Sequence, residues 1–320
     1  MTATLARFFD DVVGGKGLGP PVDRATVEAL RAELTNVLDE ICGRLPADAP
    51  SLTLTKGRVR AVLACETGAL AANEVVPEVT APMMLGHLVD RVVASYVLTG
   101  RVPDDPFEHA AGSLRAERDE RAIAWLDAAG TDVIRGLRAD LDGLAARLDA
   151  SWPLVPSEWW PRLEDVVRIP FAGGRLVLSG RFDVMLGGRA TPLERVIVEV
   201  KAGTATAVHQ PDLYWYGLLS ALRDRIPPRV IAVWSAADGV TTTAPITADA
   251  LRSAAMRVVA AAQRWVEVLS GREPTVTAHP GCRWCALLEV CETGQRGSSD
   301  AALDDDWLDE VEEEDTGDDA

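Results

Sequence analysis

Residues 179–203 read SGRFDVMLGGRATPLERVIVEVKAG. Two runs rich in Val, Ile and Leu flank Gly187-Gly188, the pattern of strands joined through a turn. The second run, 195–201, ends in Glu199-Val200-Lys201. Side chains alternate across a strand, so Glu199 and Lys201 share one face while Val198 and Val200 enter the opposite layer. With 49 acidic and 32 basic residues in 320, chance alone supplies roughly five acid-x-base pairs. This pair differs because residues 196–200 are otherwise apolar, the composition of an interior strand, where charged groups need a reason. Asp183 closes the preceding run, and if the two strands are neighbours it converges on Glu199. Hard oxygen donors suit Mg2+ or Mn2+, which bind through one or two carboxylates together with water and substrate phosphate. A lysine beside them can orient or deprotonate an attacking water.

Working outward, residues 165–171 form a further run, and Gly173-Gly174 turns it into 175–186, which makes a three-stranded meander with 195–201. Residues 209–224 return to helical periodicity and put Gln210 and Tyr214, four apart, on one face. Residues 229–234 read as a buried strand, 240–245 as a strand beside it, and 247–270 as a long helix. On the N-terminal side, helices are expected at 22–45, from the N-cap Thr55 through Val59, Val62 and Leu63 to Cys65, and at 82–98. Residues 107–150 predict two more, broken near Gly130. The sum is an α/β chain, a mixed sheet flanked by helices. Its expected organisation is an N-terminal helical region at 1–51, a main domain at 52–299 with a helical insertion at about 104–160, and a tail at 300–320. Trp159, Trp160, Trp215 and Trp234 read as core aromatics before they read as a stacking platform for bases.

Cys282, Cys285 and Cys291 have the spacing C-x2-C-x5-C, and Cys65 lies more than two hundred residues upstream. An odd total of five cysteines in a reducing compartment argues for metal ligation by four of them rather than a disulfide framework. The fifth, Cys42, falls on an apolar helical stretch and reads as core. A four-thiolate centre would staple the two ends of the chain, and both Zn2+ and an iron–sulfur cluster accept such a ligand set.

The formal net charge is −17, yet residues 300–320 hold twelve acids and neither Lys nor Arg, so residues 1–299 carry only −5. This balance excludes a broadly basic surface and confines any DNA contact to a local groove. The tail is expected to be disordered, as a solubilising segment or as a docking site for a protein partner with a basic surface. No run approaches the ~18 apolar residues of a membrane span, and acids interrupt the first residues where a signal peptide would be apolar. An intracellular, cytoplasmic protein with no membrane association is expected.

Taken in order, Gly180-x-x-Asp183, Glu199-x-Lys201 and Gln210-x-x-x-Tyr214, together with the four cysteines, resemble the RecB-type branch of the PD-(D/E)xK nuclease superfamily in its iron–sulfur members, over about residues 52–294. The resemblance implies a restriction-endonuclease-like core and metal-dependent DNA cleavage, exonucleolytic on single strands or free ends, in repair, recombination or defence. It assigns Mg2+ or Mn2+ to Asp183, Glu199 and the backbone carbonyl of Val200. Lys201 then positions water, and Gln210 and Tyr214 bracket the scissile phosphate. A [4Fe–4S] cluster falls to Cys65, Cys282, Cys285 and Cys291, within an iron–sulfur segment at 279–294. One departure stands out: where the branch has G-x-x-x-H, this chain has Gly86 followed four residues later by Asp90, with His87 at another helical angle. Asp90 is then the candidate third carboxylate ligand, His87 a flanking residue, and His209 a candidate phosphate contact. A DNA-binding or assembly module that kept the fold without the activity is the alternative of a different class, and a zinc-stapled adaptor acting through its tail is another.

Overall fold

The structure, a computed structural model, describes residues 9, 12, 20–74, 78–188, 194–204 and 210–300. Helix α1 (Arg24–Cys42) begins where the Asp23 carboxylate accepts from the Thr26 N–H and buries Val27, Leu30, Leu34, Leu38 and Ile41 along one stripe. A three-residue strand β1 (Leu52–Leu54) leads into α2 (Lys56–Ala64), capped by the Thr55 hydroxyl and ending on Cys65. Neither β1 nor α3 (Glu66–Glu74) was expected from the sequence.

Helix α4 (Ala81–Thr99) follows. The two helices predicted for 107–150 are in fact three, α5 (Pro106–Glu117), α6 (Glu120–Ala128) and α7 (Thr131–Ser151). The additional break has a local cause: Arg118 takes a left-handed conformation (φ 61°), and Asp119 caps α6 by accepting from the Ala122 N–H.

The sheet comprises β1, β2 (Arg162–Phe171), β3 (Leu176–Leu186), β4 (Val196–Lys201), β5 (Val230–Ser235) and β6 (Thr241–Pro245). The meander β2–β3–β4 is antiparallel, β5 runs parallel to β4, and β6 is antiparallel to β5. Helix α8 (Gln210–Asp224) crosses from β4 to β5, α9 (Ala248–Leu269) follows the sheet, and a 3-10 turn (Pro280–Trp284) precedes α10 (Glu292–Asp300).

One topological detail creates the site. Strand β2 runs along one edge of β3 over nearly its whole length. The other edge is divided: β1 pairs in parallel with Leu176–Leu178 and β4 pairs with Val184–Leu186. Ser179 to Asp183 therefore face an opening between β1 and β4.

Each face of the sheet carries its own core. Helices α1, α2, α8 and α9 cover one face, where Ile197, Ile231 and Val233 point, and Cys42 is buried among them. Helices α4, α5, α6 and α7 cover the other, meeting Val196, Val198, Val200, Ala232 and Trp234. The alternation Val-Ile-Val-Glu-Val-Lys thus places Glu199 and Lys201 toward the α2–α8 side. Trp234 packs edge-on against Trp152 and Trp215 is buried, so both are core residues, whereas Trp160 is exposed. No helix among the described residues is long and apolar enough to cross a membrane.

Candidate active site

The register of β3 on β4, with Val184 opposite Val198, sets Asp183 opposite Glu199 at the point where the two strands part. There the ladder is continued by a side chain: the Val200 N–H donates to Asp183 Oδ2 at 2.7 Å. In an extended strand a residue's N–H and C=O point to the same neighbour. The Val200 carbonyl is accordingly directed into the same opening as Asp183.

Period-two alternation also slips here. Phe182 belongs to the α8-side core and Val184 to the opposite core, although they are two residues apart. On β2, Leu163 and Val167 are likewise divided between the two cores. Between them stands Glu164, in a left-handed conformation (φ 50°) where the register steps from the pair Leu163–Val184 to the pair Asp165–Phe182 and leaves Glu164 and Asp183 unpaired in the ladder. Both strands turn over at this skipped position, a local distortion of the kind that accompanies re-aimed side chains at functional sites. Gly180 allows the approach of α8, since a Cβ at that position would stand 2.6 Å from Leu219 Cδ1 and 3.2 Å from Trp215 Nε1.

Glu199 is 2% exposed. Its Oε1 receives Lys201 Nζ at 3.1 Å, Lys56 Nζ at 3.1 Å and the Tyr216 hydroxyl at 3.2 Å. Its Oε2 is buried and has no hydrogen-bond partner among the described residues. Leaving such an oxygen unanswered is costly. On the other side of the opening, Asp90 of α4 lies 3.9 Å from an Arg181 guanidinium nitrogen. Arg181 also reaches Glu164 at 3.0 Å, and Arg91 reaches Glu164 at 3.6 Å and Glu117 at 2.7 Å.

Burial and then the charge of Glu164 push the Asp90 carboxyl up to about 8, against the pull of Arg181 and Arg91. Burial, Glu199 and Asp90 together hold Asp183 well above the ordinary carboxylate range. Carboxylates crowded this closely favour either protons or a cation.

His87 points to the helical layer, with Nδ1 3.8 Å from Asp119 Oδ2. Gln210 is the first residue of α8, and Tyr214 is half-buried against the core on the same helix. His209 lies outside the described residues, as does the tail from 301 onward. Lys56 and Tyr216 were not anticipated. Lys56 stands in TKGRVR among surface-like charges, and Tyr216 is two residues, just over half a helical turn, from the tyrosine of the Gln-x-x-x-Tyr motif.

The four cysteines gather at one end of α2. A methyl group on Gly68 would sit 3.6 Å from Cys65 Sγ and 3.7 Å from Cys285 Sγ, and one on Gly294 would sit 3.4 Å from Cys291 Sγ and 3.7 Å from Cys282 Cβ. Backbone N–H groups of Gly68, His279 and Gly294 donate to the sulfurs of Cys65, Cys282 and Cys291 at 3.4, 3.3 and 3.2 Å. Burial, and then the other three cysteines, push the Cys282 thiol up. Among the described residues, however, no three His, Cys, Asp or Glu side chains are arranged closely enough to hold a metal ion as they stand. Hard oxygen donors at the opening, with one buried oxygen unanswered, suit Mg2+ or Mn2+, which need few protein ligands. The sulfur donors suit iron or zinc.

A mixed sheet lies between helical layers, with acids and a lysine where two of its strands part, the architecture of a nuclease fold. The chain belongs to the PD-(D/E)XK nuclease superfamily, whose family model matches residues 53–292. Among solved structures it is similar to a Eubacterium rectale protein provisionally described as an exonuclease, at 10% identity and a TM-score of 0.47 over 79% of this chain and 89% of that one. It is also similar to SSO0001, at 13% identity and a TM-score of 0.31 over 83% of this chain and 95% of that one. No curated protein matches it.

Proposed function

We propose that this nuclease is a RecB-type, iron–sulfur DNA exonuclease acting on single strands or free ends. The observation that carries the reading is the unanswered Glu199 Oε2, buried beside Asp183 and the Val200 carbonyl. Asp183, Glu199, the Val200 carbonyl and Asp90 would hold Mg2+ or Mn2+, which when bound acidifies water and offsets charge on the phosphate. Lys201 orients the attacking water from the same face as Glu199. Gln210 and Tyr214, on the helix that follows, bracket the scissile phosphate. Water's oxygen bonds to phosphorus, the ester P–O bond breaks, and the departing oxygen takes a proton.

A [4Fe–4S] cluster on Cys65, Cys282, Cys285 and Cys291 is the structural part of the proposal. The gathering of four thiols and three amide donors supports it, since hydrogen bonds to sulfur tune such centres. Iron and acid-labile sulfide analysis of anaerobically purified protein separates this centre from a single zinc.

The deciding experiment is cleavage of end-labelled single-stranded DNA with Mn2+ or Mg2+ beside Lys201→Ala. The variant is expected to lose on the order of 10²-fold or more in rate. A folded, metal-loaded wild type that cuts nothing would replace the nuclease reading with that of a DNA-binding module.

A further inference from the structure

Lys56 belongs to none of the motifs that mark the family, yet it is as deeply placed as Lys201, at 5% and 6% exposure. Its ammonium donates to Glu199 Oε1 and to the Tyr216 hydroxyl oxygen, each at 3.1 Å, and stands 5.1 Å from the Tyr216 ring centroid. A buried ammonium is costly unless a charge and hydrogen bonds answer it, and here the answering charge is Glu199. Lys201 occupies the same carboxylate oxygen at 3.1 Å. One lysine would neutralise Glu199, and this chain places two on a single oxygen while the other oxygen has none.

The two lysines differ in what holds them. Lys56 is the first residue of α2, where the Thr55 cap fixes the backbone, and Tyr216 fixes the ammonium. Lys201 is the last residue of β4, where the strand gives way to a bend. We infer that Lys56 is a positioning residue of the nuclease site: it stays on Glu199 Oε1 as a fixed counter-ion, keeps Oε2 turned to the metal, and releases Lys201 to the attacking water. The assignment rests on the nuclease reading for its purpose, but not for its test.

The test is Mn2+ binding to the full-length, anaerobically purified protein, followed by electron paramagnetic resonance of unbound Mn2+. Wild type, Lys56→Met, Glu199→Gln and the double variant are compared. Lys56→Met is expected to bind about 10-fold more weakly, and the double variant to match Glu199→Gln within about twofold, because a residue acting through Glu199 has nothing left to lose without it. Equal or tighter binding by Lys56→Met overturns the inference, and so does a double variant weakened by the product of the two single effects. Should Lys56→Met fail to fold, Tyr216→Phe removes only the hydroxyl that joins the pair. It is expected to weaken binding about threefold, and unchanged binding there counts equally against the role. On the same samples, Lys56→Met should lower kcat for DNA about 10-fold or more and leave KM within about twofold. A wild type that binds Mn2+ yet cuts no DNA sinks the nuclease reading separately, with the Lys56–Glu199 coupling still decided by the binding data.

Discussion

At the scale of single residues, what the sequence displays and what it conceals are divided by tertiary packing. Glu199 and Lys201 were legible because an interior strand has no other use for charge. Asp183 was legible as a lone acid in the neighbouring apolar run, although it does not close that run as expected, since β3 continues through Val184 to Leu186. Lys56 was not: it begins a helix with Arg58 and Arg60 two and four residues on, about half a turn and one turn away, and only the fold shows that it points inward. Asp90 carries a prediction of its own. The folded protein holds its proton up to about pH 8, whereas the ordinary value is 3.8. The folded state then binds one more proton than the unfolded chain between those values, so the metal-free protein loses stability as pH rises from about 4 toward 8. Asp183, also held above the ordinary range, adds to that slope; Asp90→Asn removes only the share of Asp90 and should be the more stable protein at pH 8 in chelator, by about 1–3 kcal/mol. Adding Mn2+ should narrow or reverse the difference, because wild type alone offers the carboxylate. Thermal melts across pH, with chelator and with Mn2+, check both arms, and parallel curves would remove Asp90 from the site.

At the scale of elements, the meander, α8 and α9 follow from periodicity, whereas β1 is three residues long and gives periodicity nothing to act on. The divided edge of β3 is a matter of which strands meet, which no local pattern encodes. Gly180 is where sequence and packing agree. The glycine of the Gly-x-x-Asp motif is the place where α8 presses on β3. Gly180→Ala drives a methyl group against Leu219 and the Trp215 ring and should cost about 1–3 kcal/mol in chemical denaturation. A neutral effect would mean that α8 shifts freely, and cleavage would then be the more sensitive readout. A second joint ties α3 to the segment after α9. Arg272 pairs with Glu66 Oε1 at 2.7 Å, and the Thr275 N–H donates to Oε2 at 2.8 Å. With the Arg272 hydrogen bond as the main cause, the Glu66 carboxyl is lowered from 4.5 to about 2. Its contribution is present above about pH 4.5 and lost as pH falls toward 2. Glu66→Gln should therefore be less stable by about 2 kcal/mol at pH 7 and equal to wild type near pH 2. A deficit that persists in acid would assign the effect to packing.

At the scale of the whole molecule, α2 joins two sites that the sequence presents as unrelated. Its first residue holds Glu199, and its C-cap, Cys65, meets the cysteines from the far end of the chain. Nine helical residues span about 14 Å, a rigid strut rather than a linker. The two cores on either face of the sheet are complete without the cysteine group, so removing it should leave the sheet folded. If the proposed centre fills the cysteine group, it adds stability by mass action, because it binds only the native state. Cys285→Ser should therefore keep the far-ultraviolet spectrum of the wild type and melt roughly 5–15 °C lower. The strut makes the sharper prediction. If α2 transmits the loss, Cys285→Ser should weaken Mn2+ binding about threefold or more in wild type, but add little in Lys56→Met, where the strut no longer grips the carboxylate. Independent effects in the two backgrounds would show that the cysteine centre stabilises the fold without reaching the nuclease site.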